Sequence, residues 1–246
     1  MPRRSTSALA GSFLVLLVAG ALTACASTAG PGSPATPSST ARGSSGGAGT
    51  EIEVDAAWLD NGRMIGIVTE GSSTCVPTAG EVALNGNVLE VELVDPPADT
   101  ACTRDLVPRA TVVGLPEGVD PTQELEIRVT YGDNHGDTDL DGVAGLTPGA
   151  ETDYLPSAGF TGDDGEFVVL TWGSSTCVPT VESATAAGNE ATVTFATPPA
   201  NQACTMDMAP RGTLVQVDGL DDDSEAFAIL TGAEFDNIRI PIIGND

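Results

Sequence analysis

Residues 88–94, VLEVELV, alternate without a break: Leu89, Val91 and Leu93 fall on one face of an extended chain, Glu90 and Glu92 on the other. That period of two marks a strand with one buried and one wet face. Just upstream, Asn85-Gly86 separates this run from a second short one, "EVAL". Both of those residues tolerate positive φ, so the two runs are read as a hairpin. Downstream, "ELEIRVTY" repeats the alternation with Leu125, Ile127 and Val129 on one side. No stretch beyond residue 25 carries a helical period.

Further out lies an internal repeat. The octapeptide GSSTCVPT occupies Gly71 to Thr78 and returns, letter for letter, at Gly173 to Thr180, 102 positions later. At that offset 21 of 43 positions are identical between Glu70–Val112 and Trp172–Leu214. Strand "ATVTFA" then aligns on "LEVELV" with Ala191, Val193 and Phe195 inward, and Trp58 pairs with Phe160. The spacing predicts an all-β protein of two tandem small modules, each a β-sandwich or partly open barrel of about five strands. Their expected bounds are 51–133 and 153–246, joined by an acidic linker over 134–152.

So small a module buries a limited core, and a cross-link would support it. Apart from Cys25 the chain has four cysteines, which permit three pairings; the duplication selects Cys75–Cys102 and Cys177–Cys204, one within each copy. Each closes a loop worth about 3.5 kcal/mol of chain entropy in the simplest treatment. Neither copy has the histidine or C-x-x-C spacing of a zinc site. In the octapeptide, serine and threonine hydroxyls can satisfy loop backbone groups and proline stiffens the exit. An alternative makes Ser72, Ser73, Thr74 and their counterparts Ser174, Ser175, Thr176 a ligand pocket for a glycan. Arg109 and Arg211 each follow an aspartate by four residues (Asp105, Asp207), which reads as an ion pair or turn lock, with paired anion contacts as the second reading.

The N-terminal "MPRRSTSALAGSFLVLLVAGALTAC" has a basic start, an apolar run from Ala8 to Leu22, and small residues before Cys25. This is a targeting segment, and its apolar run is shorter than the ~20 residues of a spanning helix. Leu22-Thr23-Ala24-Cys25 resembles the lipobox of bacterial lipoproteins. The resemblance implies removal of signal peptide 1–24, a diacylglyceryl anchor on Cys25 in the lipid bilayer, and a location on the outer face of the cell membrane. Residues 25–50, almost wholly Ser, Thr, Gly, Ala and Pro, are expected to be a disordered tether with a reach of about 25–30 Å. The paired "GSSTC…CT-x-D…PR" modules look like extracytoplasmic lipoproteins of actinobacteria, which adds a location and no chemistry.

Composition narrows the function. The chain has 35 acidic residues against nine arginines, no lysine, and a net charge of −26. Such a surface repels phosphate backbones and excludes nucleic acid as a partner. Absence of lysine removes Schiff-base chemistry, and His135 is the sole histidine for acid–base work near neutral pH. Asp137, Asp139, Asp141 and Gly142 resemble the D-x-D-x-D-G opening of a calcium loop, although the twelfth position would be Pro148. Calcium is therefore the one cofactor the sequence raises. The expected function is non-enzymatic binding or structuring of the envelope, with a cell-envelope protein or glycan as partner. The alternative is a calcium-assisted or carboxylate-based hydrolase acting on cell-wall polysaccharide.

Overall fold

The computed structural model describes residues 49–149, 151–221 and 225–244. The signal segment, Cys25 and the tether up to residue 48 lie outside the described residues. Gly49 and Thr50, expected in the tether, are described: the His135 amide donates to the Thr50 carbonyl at 3.1 Å and the Ile52 amide to the His135 carbonyl at 2.9 Å. Residues 49 and 50 thus join the folded part.

The fold is all-β, with fourteen strands and no α-helix among the described residues. In the first half they are β1 (Asp55–Leu59), β2 (Met64–Gly71), β3 (Thr78–Asn85), β4 (Val88–Val94), β5 (Val107–Gly114), β6 (Leu125–Tyr131) and β7 (Asn134–Leu140). The second half follows with β8 (Ser157–Phe160), β9 (Glu166–Gly173), β10 (Val181–Ala187), β11 (Glu190–Phe195), β12 (Ala209–Gln216), β13 (Phe227–Gly232) and β14 (Phe235–Ile243). The alternation in β4 is realised, with Leu89, Val91 and Leu93 buried and Glu90 and Glu92 exposed. β3 and β4 form the expected hairpin, but Asn85 pairs with Val88 as a strand residue, and the two-residue turn is Gly86-Asn87 with positive φ at Gly86 alone.

Each half is a sandwich of two sheets. In the first, β1-β2-β5 faces β3-β4-β6-β7 across a core that includes Trp58, Ile65, Ile67, Leu89 and Ile127. In the second, the corresponding strands pack around Phe160, Phe167, Val193, Phe195 and Leu230. There β14 also pairs in parallel with β8, through Ile242 and Ile243 against Ala158 and Gly159, so the two sheets merge along that edge into one of seven strands. In the first half the chain leaves instead after Leu140: Asp141 accepts from the Trp58 indole at 2.9 Å and Val143 donates to the Pro121 carbonyl at 2.8 Å.

One expectation is corrected. Residues 134–140 do not belong to a linker; they are β7, antiparallel to β6 from Leu125–Leu140 to Tyr131–Asn134. The segment reads as polar because β7 is an edge strand, which buries Gly136 and Leu140 and turns Asp137 and Asp139 to solvent. Charged residues on an edge discourage pairing with another chain. The two halves also pack on each other. β1 lies against β8 and β5 against β12, each strand on its own counterpart, the pattern of a self-complementary contact. This face buries Ala57, Leu59, Val68, Ala110, Val168 and Leu170. Strands β2 and β9 are consequently covered on both sides, which explains the unbroken apolar runs in "MIGIV" and "FVVL".

Candidate functional site

Both octapeptides leave the three-stranded face of their sandwich, from β2 and β9, and are stapled at once to the loop that precedes β5 or β12. The Cys75–Cys102 and Cys177–Cys204 disulfides are formed, with Cα separations of 5.4 and 5.6 Å. Around each staple the hydroxyls converge on a single threonine. Thr103 Oγ1 lies 2.8 Å from Ser72 Oγ, 3.2 Å from Ser73 Oγ and 3.3 Å from Thr74 Oγ1. Thr205 repeats this with Ser174 at 2.8 Å, Ser175 at 3.4 Å and Thr176 at 3.3 Å. Thr74 and Thr176 also accept from the amides of Thr103 and Thr205, at 3.0 and 3.1 Å. These hydroxyls bond one another and the loop backbone, so the geometry brings Ser72, Ser73 and Thr74 together as loop glue, and their counterparts likewise.

Asp105 and Arg109 do not pair. Asp105 accepts from the Ser73 amide at 3.2 Å, and Asp207 from the Ser175 amide at 3.2 Å. Bonds from Ser73 and then Thr103 hold the Asp105 carboxyl down to about 2; Ser175 and Thr205 do the same for Asp207. Arg109 and Arg211 are buried instead, pointing beneath the staple. Arg109 Nη1 donates to the carbonyls of Ser72 at 3.1 Å and Cys75 at 2.5 Å. Arg211 Nη1 donates to Cys177 O at 3.1 Å and its Nη2 to Trp172 O at 3.0 Å. Both arginines thus take backbone carbonyls in and beside the staple loop as partners in place of the aspartates. A charge-assisted bond of this kind is worth about 1.5–3 kcal/mol. This placement also explains the first letter of the octapeptide: a Cβ on Gly71 would lie 2.3 Å from Arg109 Cζ, and one on Gly173 2.7 Å from Arg211 Nη1.

The two arginines part company at their outer ends. Arg109 Nη2 donates to the Tyr131 hydroxyl at 3.0 Å, which in turn donates to Asp95. Arg211 Nη2 goes to Glu234 Oε1 at 2.5 Å. Beside it opens a cleft of about 590 Å³, walled by the Cys177–Cys204 bridge, Pro179, Ala196, Thr197, Pro198, Pro199 and Ala233, with Arg211 and Glu234 as its charged groups. Mostly apolar walls and few convergent polar groups, at this size, are the features of a small-molecule site. Sequence reasoning reached Arg211 here but missed Glu234 and Thr197, because neither is identical between the copies.

The calcium reading meets a different geometry. Asp137 and Asp139 stand on β7, where alternate residues point the same way about 7 Å apart along the strand instead of converging on one ion. Asp137 is opposite Arg128 in register. Asp141 lies just past the strand end, and Gly142 fits there because a Cβ would sit 2.4 Å from the Thr122 carbonyl oxygen. His135 is an exposed residue of β7 bridged to Glu51.

In comparisons with family models, curated proteins and solved structures, nothing matches this chain.

Proposed function

We propose that this chain is an exported, lipid-anchored, extracytoplasmic protein that binds a component of the cell envelope without catalysing a reaction, and that the cleft beside Cys177–Cys204 is its recognition site. The cleft carries this reading: it pairs apolar walls with one buried guanidinium and one exposed carboxylate. Its lining presents a single carboxylate, Glu234, whereas acid–base hydrolysis of a glycosidic bond uses two. Export is supported by the lipobox ending at Cys25 and by two disulfides, which persist in oxidising compartments. The matching half-sandwiches support a duplication, and the second copy carries this cleft beside its disulfide.

Two measurements test this. Cys25→Ala should move the protein from the membrane fraction to the soluble extracytoplasmic fraction. Full-length protein purified in detergent should be retained saturably by the delipidated envelope of the source organism, and Thr197→Phe, at an exposed position of the cleft wall, should abolish that retention. Retention that is absent, or unchanged in Thr197→Phe, would remove the cleft as the binding site.

A further inference from the structure

The two halves differ most sharply at one place in the sheet. In the first half, Leu93 of β4 is in register with Tyr131 of β6. In the second, Phe195 of β11 is in register with Gly232 of β13. The pairing itself is the same, inward residue on inward residue (Val91 with Val129, Val193 with Leu230), but the chain between the paired strands is one residue shorter in the second half. Gly232 therefore holds the register position of Tyr131, but with φ +77° and a Cβ that would lie 2.4 Å from the Phe195 carbonyl oxygen, so the second half carries no side chain at that position.

What the phenol does in the first half is visible. Its ring lies by Arg109, with the guanidinium carbon 5.8 Å from the ring centroid, and its hydroxyl sits between an arginine donor and a carboxylate acceptor, Asp95. In the second half the arginine and a carboxylate meet directly, Arg211 on Glu234, with nothing between them. Glu234 is 57 % exposed, so its side chain can swing out without loss of packing. The cleft opens at this point, lined by Arg211, Thr197, Pro198, Ala233 and Glu234.

We infer that the cleft takes a phenol ring from a ligand, with its hydroxyl inserted between Arg211 and Glu234 as the Tyr131 hydroxyl lies between Arg109 and Asp95. The inference rests on the cleft being the recognition site. The hydroxyl accepts from Arg211 Nη2 and donates to the Glu234 carboxylate, restoring the arginine–hydroxyl–carboxylate order that Arg109, Tyr131 and Asp95 make. The ring replaces water against proline and disulfide walls. A net charge of −26 makes the site selective for neutral phenols over phenols that carry phosphate, sulfate or carboxylate. A tyrosine side chain and a free small phenol share this chemistry.

The test titrates full-length protein with p-cresol, the free form of the tyrosine side chain, with N-acetyl-tyrosinamide and with toluene, by NMR and calorimetry. The cleft is expected to bind p-cresol, a ligand of small size, at one site with a Kd on the order of 1 mM. Toluene, which lacks the hydroxyl, should bind roughly tenfold more weakly or worse. N-acetyl-tyrosinamide binding at least as well as p-cresol identifies a peptide-borne tyrosine; p-cresol binding alone identifies a free phenol. Tyr131→Ala should open a second site, raising the stoichiometry to two, and p-cresol should raise its Tm more than that of the parent. Thr197→Phe should abolish the single site of the parent, a readout independent of whether Tyr131→Ala folds. Equal binding of toluene and p-cresol overturns the inference. If p-cresol fails to bind while Thr197→Phe still abolishes envelope retention, the phenol assignment falls and the cleft keeps its binding role; failure of both removes both.

Discussion

At the scale of the residue, the staple loops are governed by donors aimed at two exposed aspartates. Asp105 and Asp207 are held down to about 2 by bonds from the adjacent serines and threonines. A carboxyl lower in the folded than in the unfolded chain contributes stability that is complete above about pH 4 and disappears as pH falls toward 2. Asp55 has the opposite sign, raised first by burial and then by Asp163 and Glu53, so its contribution grows on acidification and fades as pH rises through its folded value. Titration from pH 5 to 2, followed by amide hydrogen exchange, should therefore lower the protection factors of Ser73 and Ser175, taken against the unfolded-chain rate at each pH, while strand amides of β2 and β9 stay protected. Protection at Ser73 and Ser175 that is unchanged down to pH 2 would contradict these bonds.

At the scale of the element, the contact of β1 with β8 depends on a glycine. A Cβ on Gly159 would lie 2.1 Å from the Trp58 carbonyl oxygen, a backbone atom that cannot step aside. Gly159→Ala should therefore lower the unfolding free energy in urea by about 1–3 kcal/mol through overpacking. Gly114→Ala, at the exposed end of β5 with open space around its Cα, serves as the control and should stay within about 0.5 kcal/mol of the parent. Equal stability of the two variants would mean that the facing sheets can separate at no cost. The same scale explains β7: its inward residues are Gly136 and Leu140, and Gly136 is there because a side chain would strike the Ile52 carbonyl 2.5 Å away. A strand that buries a glycine leaves almost no hydrophobic trace in sequence.

At the scale of the whole molecule, the shared face couples the halves. Leu59, Val68, Val168 and Leu170, two from each half, pack in one buried cluster, and fully burying one such side chain contributes about 1.5–3 kcal/mol. The halves should therefore unfold together. Trp58, buried in the first half, and Trp172, packed on the shared face from the second, are natural reporters. Trp58→Phe and Trp172→Phe variants, each left with one indole, should give coincident urea transitions by fluorescence; midpoints that separate would show two independent folding units. The alternation of "VLEVELV", the hairpin after "EVAL" and the partners of all four cysteines in the folded part were legible in the chain, because each depends on near neighbours or on letters that recur. Three features required the tertiary structure. β7 is held by its neighbour β6 and by residues 50–52, not by its own composition. Arg109 and Arg211 turn from nearby aspartates to carbonyls because the disulfide folds those carbonyls over them. The cleft borders the end of β13, where Gly232 pairs with Phe195 as Tyr131 of the first half pairs with Leu93, a correspondence that only the pairing of distant strands reveals.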